Sequence, residues 1–305
     1  MNVLIIAGGS SSERKISLIS ARAVKKALEA RGHHASIFDF KKGSTALKEA
    51  IGPYDVVFPV MHGKEGEDGE LYAFLRATKK PFVGSDPKGA RTAFDKILFK
   101  RFCRRKRIIV PPWRVVKNKK DILRFGFPCV LKAAQGGSSL EVALLRSKKD
   151  IGGPHVKKIL GLLDSIYVEK MIDGVEITVG VLLGAALPVI EIVPPKDGWF
   201  DYKNKYSGES KEIPHAPSVA SALQARARKI ALAVHRDLRL GNYSRTDIIV
   251  EGDVPYVLET NTPGGVGLTP ESLFPKAAKA AGMPFPELVE KIIRGSLRNR
   301  RRKPR

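Results

Sequence analysis

Cysteine is almost absent: the 305 residues hold two, Cys103 and Cys129, which excludes a disulfide framework and a cysteine-rich zinc site. They read as ordinary buried or partly buried thiols. No apolar run reaches the length of a membrane span. The opening MNVLIIAGG has no charged stretch before its apolar residues and is too short for a secretory signal, so a soluble, cytoplasmic protein without membrane insertion is expected. His33, His34, His155, His215 and His235 show no ligand spacing and read as surface residues. No Ser–His–Asp or Cys–His arrangement occurs. Aromatics are sparse, at 7%, without the basic–aromatic interleaving of a nucleic-acid surface, so no specific nucleic acid is expected. Acidic residues are outnumbered, 31 against 54 Lys+Arg, for a formal net charge of +23. That surplus points first to an anionic partner. Much of it lies in runs such as Lys100–Arg107, Lys117–Lys120 and Arg294–Arg305, which read as solvated surface and a frayed tail. The 43% of hydrophobic residues suffices for real cores, and the length fits two domains or three small ones.

The chain opens as strand, glycine turn and helix. Val3–Ile6 end at Gly8-Gly9, and Ile16, Ile19, Ala23, Val24, Ala27 and Leu28 then recur at helical spacing up to Gly32. Strands over 35–40, 55–61 and 81–85 continue the alternation of a parallel sheet with crossover helices. A helix over 86–107 begins a new unit. From Trp113 to Leu183 strands are joined by short turns, with a helix near 148–163, an α+β pattern. Residues 194–217 are polar and too long for a plain connection, so they read as a functional loop. A helix over 219–238, strands over 242–250 and 254–260, a second glycine loop and two helices complete the body.

The last strand pair carries the strongest local signal. The turn is Glu251-Gly252-Asp253, and a hairpin centred on Asp253 sets Asp247 opposite Glu259 and Arg245 opposite Asn261, with all four on one face. Facing carboxylates repel unless a cation lies between them, and hard oxygen donors suit Mg²⁺ or Mn²⁺ bound with phosphate. Lys132-Ala-Ala-Gln-Gly-Gly-Ser138-Ser139 offers a flexible, donor-rich phosphate cradle without the Walker A spacing. Glu169 and Glu176 flank a turn; they are either exposed strand residues or acceptors for a nucleotide's amine and ribose. Gly8-Gly9 lie at the carboxyl end of the first strand, where open α/β sheets place ligands. Glu13 either favours the following helix dipole or receives an ammonium group. His62-Gly-Lys-Glu-Gly-Glu-Asp-Gly69 sits at another strand end and reads as an active-site loop.

These residues occur in order with Gly8-Gly9-x-Ser-x-Glu13-Arg14-x-Ile-Ser-Leu18, Phe82-Val-Gly-Ser85, Asp95-Lys96, Gly137-Ser-Ser139, Val168-Glu-Lys170, Lys205-Tyr206, Arg245-x-Asp247 and Glu259-x-Asn261-Thr262. Together they resemble the D-alanine–D-alanine ligase family of cell-wall enzymes, over roughly residues 1–295. The resemblance implies a Rossmann-like parallel-sheet unit (1–85), then the central (86–172) and C-terminal (173–295) lobes of an ATP-grasp fold, and a basic tail (296–305). It implies that Lys96, Lys132 and Ser139 contact ATP phosphates, that Glu169, Lys170 and Ile172 hold adenine, and that Glu176 holds ribose. Asp247, Glu259 and Asn261 would bind two Mg²⁺ or Mn²⁺ ions. Glu13 would hold the first D-alanine's ammonium, Ser138 and Tyr206 would link to Glu13, and Lys205 would meet the transferring phosphoryl group. Arg245 and an amide near Gly264 or Gly265 would stabilise an oxyanion. His62 belongs to the substrate site, Ser272 would take the second substrate's carboxylate, and a homodimer is implied. The implied reaction consumes ATP and joins two D-alanines through an acyl phosphate; a different second substrate, another D-amino acid or D-lactate, is the alternative. The chain departs from the family at Ala133, at Ala134-Gln135 and at Leu140-Glu141. Its Asn261–Ser272 loop is also longer by two residues.

Overall fold

The computed structural model describes residues 1–136, 141–162, 165–195 and 210–301. The chain begins with β1 (Asn2–Ala7), α1 (Arg14–Glu29), β2 (His34–Asp39), α2 (Gly43–Ala50), β3 (Val56–Pro59) and α3 (Glu70–Ala77). The strands form a parallel sheet in the order β2-β1-β3. Val3–Ala7 are buried throughout, as a central parallel strand covered on both faces requires. The strand expected over 81–85 reduces to one bridge, Phe82 beside Val57.

Two helices, α4 (Pro87–Phe94) and α5 (Lys96–Arg105), stand where one was expected over 86–107. Asp86 caps the first through Lys88 N and Gly89 N, and Asp95 caps the second through Leu98 N. Capping by Asp95 requires an extended backbone there, which interrupts the helix and opens α5 on Lys96.

A smaller lobe follows: β4 (Trp113–Val115), α6 (Lys119–Phe125), β5 (Cys129–Ala133), β6 (Val142–Leu145), α7 (Pro154–Leu160) and β7 (Ile166–Lys170). Its antiparallel sheet has the order β4-β7-β5-β6. The helix expected over 148–163 is a 3₁₀ turn at Lys148–Gly152 followed by α7, which starts afresh at Pro154. Cys129, Leu131 and Val168 face the helices and form a core with Ile122 and Ile159. The alternate residues, Val130, Lys132 and Glu169, turn toward the other lobe.

The larger sheet is built from β8 (Val175–Leu182), β9 (Ala185–Ala186), β10 (Ile190–Val193), β11 (Lys211–Pro214), β12 (Tyr243–Glu251) and β13 (Val254–Asn261), with α8 (Ser221–Asp237) between β11 and β12. Its order is β11-β10-β8-β12-β13, with β9 paired to β8. Strand β11 lies inside the segment expected to be loop. Ile177, Val179 and Val181 pack against Ala227, Ala231 and Val234 of α8 on one face. On the other face Gly180 admits α9 (Leu273–Ala280): a Cβ there would come within 2.8 Å of the Phe274 ring.

The last helix, α10 (Phe285–Arg301), returns to the first sheet. Leu288, Val289, Ile292 and Ile293 are buried with Val24, Leu28 and Ile5. This apolar stripe carries the helix through Arg294, so the basic segment is helical to Arg301 and not frayed from Arg294. Two histidines assigned to the surface are buried: His235, whose Nδ1 lies 2.8 Å from Ser244 Oγ, and His33, beside Glu290.

Candidate active site

A cavity of about 450 Å³ separates the cleft faces of the two lobes, lined by Lys96, Lys132, Glu169, Ile172, Glu176, Asp247 and Glu259, among others. A second, of about 600 Å³, is lined by Glu13, His62, Arg245, Asn261, Gly265 and Ser272, among others. Lys96, Gly136 and Glu259 line both, so the two spaces adjoin.

On the large lobe the sheet register assembles the polar groups. Asp247 lies between Thr178 of β8 and Glu259 of β13, and Arg245 between Gly180 and Asn261. Asp247 accepts hydrogen bonds from Thr178 Oγ1 at 2.6 Å, Arg245 Nε at 3.0 Å, Arg245 Nη2 at 2.9 Å and Asn261 Nδ2 at 3.1 Å. Lys96 Nζ donates to the Gly136 carbonyl at 2.8 Å and stands 3.6 Å from Glu259. Each carboxylate of the facing pair therefore has a cation beside it.

On the small lobe Lys132 Nζ lies 2.6 Å from Glu169 Oε1, and the other carboxylate oxygen lies 2.5 Å from Lys100 Nζ. Glu169 is buried, not an exposed strand residue, and Lys100, counted in the solvated run, has no exposed surface. Burial opposes the Glu169 charge, but the two lysines hold its pKa below the ordinary value. Burial likewise opposes the Lys132 ammonium, while Glu169, Glu259 and Glu176 carry its pKa above the usual lysine value. Lys170 instead points outward, 3.7 Å from Glu251.

Around the second cavity Glu13 is buried close to Gly63. The buried His62 imidazole has its pKa lowered to about 4 by burial and by Arg245, so it is neutral at pH 7. Ser272, at the start of α9, has its Oγ 2.9 Å from Thr269 Oγ1 and accepts from Thr269 N at 3.2 Å. The longer loop, Asn261–Ser272, is anchored by the buried Val266 and Leu268. Its amides are engaged: Gly264 N donates to Tyr72 Oη at 3.0 Å and Gly265 N to the Thr262 carbonyl at 2.9 Å. In this arrangement neither amide is open to an oxyanion. Ser138, Ser139, Lys205 and Tyr206 lie outside the described residues.

Glu67 and Lys100 went unnoticed in the sequence. Glu67 accepts from Gly63 N at 2.7 Å inside the second cavity, and burial, with Glu13 nearby, pushes its pKa up to about 8. It belongs to the glycine loop already singled out. Lys100 follows Lys96 by four residues, one turn along α5; that spacing was the available signal.

Among the described residues no group of three or more His, Cys, Asp or Glu could hold a metal ion. Asp247, Glu259 and the Asn261 amide oxygen are nevertheless a hard-oxygen set suited to Mg²⁺ or Mn²⁺ whose other ligands are phosphate oxygens and water.

Two antiparallel lobes closing on a cleft, with lysines on one wall and a carboxylate pair on the other, define a protein of the ATP-grasp class. The family model described as D-ala D-ala ligase C-terminus matches residues 108–294, and the D-ala D-ala ligase N-terminus model matches residues 39–85. The D-alanine–D-alanine ligase of Nitratidesulfovibrio vulgaris (strain DP4) is 38% identical over 298 residues, covering 96% of this chain and 97% of that one. The ligase of Maridesulfovibrio salexigens is 35% identical over 306 residues, covering 99% and 100%. The crystal structure of the Bacillus anthracis ligase complexed with ATP superposes with a TM-score of 0.83 at 28% identity, covering 99% of each chain. The chain belongs to the D-alanine–D-alanine ligase family.

Proposed function

We propose that the protein joins two D-alanine molecules into D-alanyl-D-alanine, with ATP consumed to ADP and phosphate, as a step in peptidoglycan precursor synthesis. The observation that carries this reading is the adjoining pair of cavities. One sets Lys96 and Lys132 across from Asp247 and Glu259; the other runs from there to Glu13 and Ser272.

The apolar part of the first cavity, with Val130 and Ile172 on one lobe and Ile249 and Leu258 on the other, suits a flat purine, and Glu176 takes the ribose hydroxyls. Both Glu169 oxygens are engaged by lysines, so its part in nucleotide binding runs through Lys132. Lys96 and Lys132 meet the phosphates. Asp247, Glu259 and Asn261 would hold Mg²⁺ or Mn²⁺, which supplies further neutralisation of phosphoryl charge when bound.

Glu13 holds the first D-alanine by its ammonium. That substrate's carboxylate attacks the γ-phosphorus, the bond to ADP breaks, and an acyl phosphate forms. Ser272 and the start of α9 receive the second D-alanine's carboxylate. Its free amine attacks the acyl carbonyl, loses a proton, and expels phosphate. Arg245 faces the oxyanion of that step. The chain's work is mostly positioning and charge neutralisation.

Residues 1–85 then form the first-substrate unit, 86–172 and 173–295 the grasping lobes, and 296–305 the basic tail. No described helix is long and apolar enough to cross a membrane; a cytoplasmic location follows from the need for ATP, and a homodimer from the family resemblance. ADP release that requires both ATP and D-alanine, with the dipeptide identified by mass spectrometry, tests the reading. Release with another amino acid and none with D-alanine would overturn the substrate assignment and retain the class.

A further inference from the structure

We propose that Lys100 is a positioning residue for nucleotide binding, acting through Glu169 to leave the Lys132 ammonium available to the phosphates. The proposal rests on the ATP-dependent reading above. Lys100 touches neither cavity. It leaves the buried face of α5, one turn beyond Lys96, and its Nζ lies 2.5 Å from Glu169 Oε2 and 5.4 Å from the centroid of the Tyr167 ring. Glu169 spans the gap, its Oε1 2.6 Å from Lys132 Nζ. Tyr167 and Lys132 are cross-strand partners, as are Glu169 and Val130. Helix α5 thus brings a second cation to a sheet face that already holds an ion pair.

The electrostatics follow from counting charges. Glu169 and Lys132 alone make a closed, neutral pair in which the carboxylate competes with ATP for the ammonium. Lys100 forms an ion pair with the other carboxylate oxygen and gives the cluster a net single positive charge. A buried lysine with no direct access to the ligand is costly to keep. Its placement against Glu169 on one side and an aromatic face on the other offsets that cost. Burial, the larger effect, lowers the Lys100 pKa below the ordinary lysine value, and Glu169 offsets only part of that.

A double-mutant cycle on the full-length chain tests this. ADP with Mg²⁺ is titrated by calorimetry into wild type, Lys100→Met, Glu169→Gln and the double variant, with circular dichroism checking the fold. With Glu169 left to Lys132 alone, the carboxylate competes with ADP for that ammonium, so Lys100→Met should weaken ADP roughly tenfold. The KM for ATP should rise by a similar factor while kcat and the KM for D-alanine stay near wild type. In the Glu169→Gln background there is no carboxylate for Lys100 to saturate, so Lys100→Met should change ADP affinity less than about twofold. A purely structural role for Lys100 would give the same loss in both backgrounds. If Lys100→Met alone does not fold, the comparison of Glu169→Gln with the double variant, in which both buried charges are gone, still decides. Wild-type affinity in Lys100→Met, or an equal loss in the Glu169→Gln background, overturns the proposal. If wild type itself fails to bind ADP, the ATP-dependent reading falls and takes this one with it.

Discussion

Asp247 faces Glu259 across β12 and β13 because Leu258 is bulged out of the ladder between them. In a regular strand Val257 and Glu259 would share a face. Here Val257 pairs with Ile248 in the core, while Glu259 pairs with Asp247 in the cleft. The bulge thus delivers a carboxylate to the site from a strand whose neighbouring residues build the core. Glu259→Gln keeps the shape and removes the charge. ADP formation should fall by roughly a hundredfold or more, with a higher Mg²⁺ concentration needed for half-maximal rate and an unchanged melting temperature. Unaltered Mg²⁺ dependence would remove Glu259 from the metal set.

That pairing was legible in the sequence, but by two compensating departures. The expected turn is centred on Asp253. The observed ladder closes from Glu251 to Val254 around Gly252 and Asp253, one residue tighter, and the Leu258 bulge restores the expected partners at the site. The alternation of the first sheet and the hairpins of the lobes were also legible, because apolar periodicity and glycine turns are local signals. Lys100 was not, since it sits in a run of basic residues and its partner Glu169 is distant in sequence. The break between α4 and α5 depends on Asp95 turning extended to cap a new helix where the pattern would let the first continue, and the reach of α10 depends on tertiary burial of its apolar stripe. The buried His33 and His235 likewise owe their environments to elements far along the chain.

Gly89 lies inside α4, where alanine would ordinarily improve helix stability. A Cβ at this position would overlap the Leu238 carbonyl oxygen, which is backbone and cannot rotate away. Gly89→Ala should therefore destabilise the fold by about 1–3 kcal/mol, read as a lower melting temperature. A rise in melting temperature would show that the contact with the 238–242 segment is loose.

Glu67 carries a pH dependence of stability. Its carboxyl is pushed up to about 8 in the folded chain, first by burial and then by Glu13, from an ordinary value of 4.5. The folded state therefore keeps a proton that the unfolded chain releases, and stability falls as pH rises from about 4.5 to 8. Glu67→Gln cannot ionise. Relative to wild type it should gain stability across that window, on the order of a few kcal/mol, and the gap should level off above it. Denaturant titrations at intervals from pH 5 to 9 read this directly; parallel stability curves for the two proteins would contradict it.

Arg245 connects the nucleotide end of the site to the substrate end. Its Nε and Nη2 hold the two oxygens of Asp247, and it lines the second cavity. Lysine has one nitrogen and cannot reproduce the fork, so Arg245→Lys is not conservative here. The proposed ADP contacts lie in the first cavity, which Arg245 does not line. Affinity for ADP should therefore change little, while kcat for dipeptide formation should fall by roughly a hundredfold, because lysine keeps the charge but loses the fixed guanidinium donors facing the tetrahedral oxyanion. The split separates two roles for this guanidinium. If Arg245 serves only to orient Asp247, Arg245→Lys should raise the Mg²⁺ requirement and the KM for ATP along with the loss of rate. If it acts on the reacting carbonyl, both stay near wild type and the acyl phosphate turns over to free D-alanine and phosphate, read as ADP release in excess of dipeptide formed.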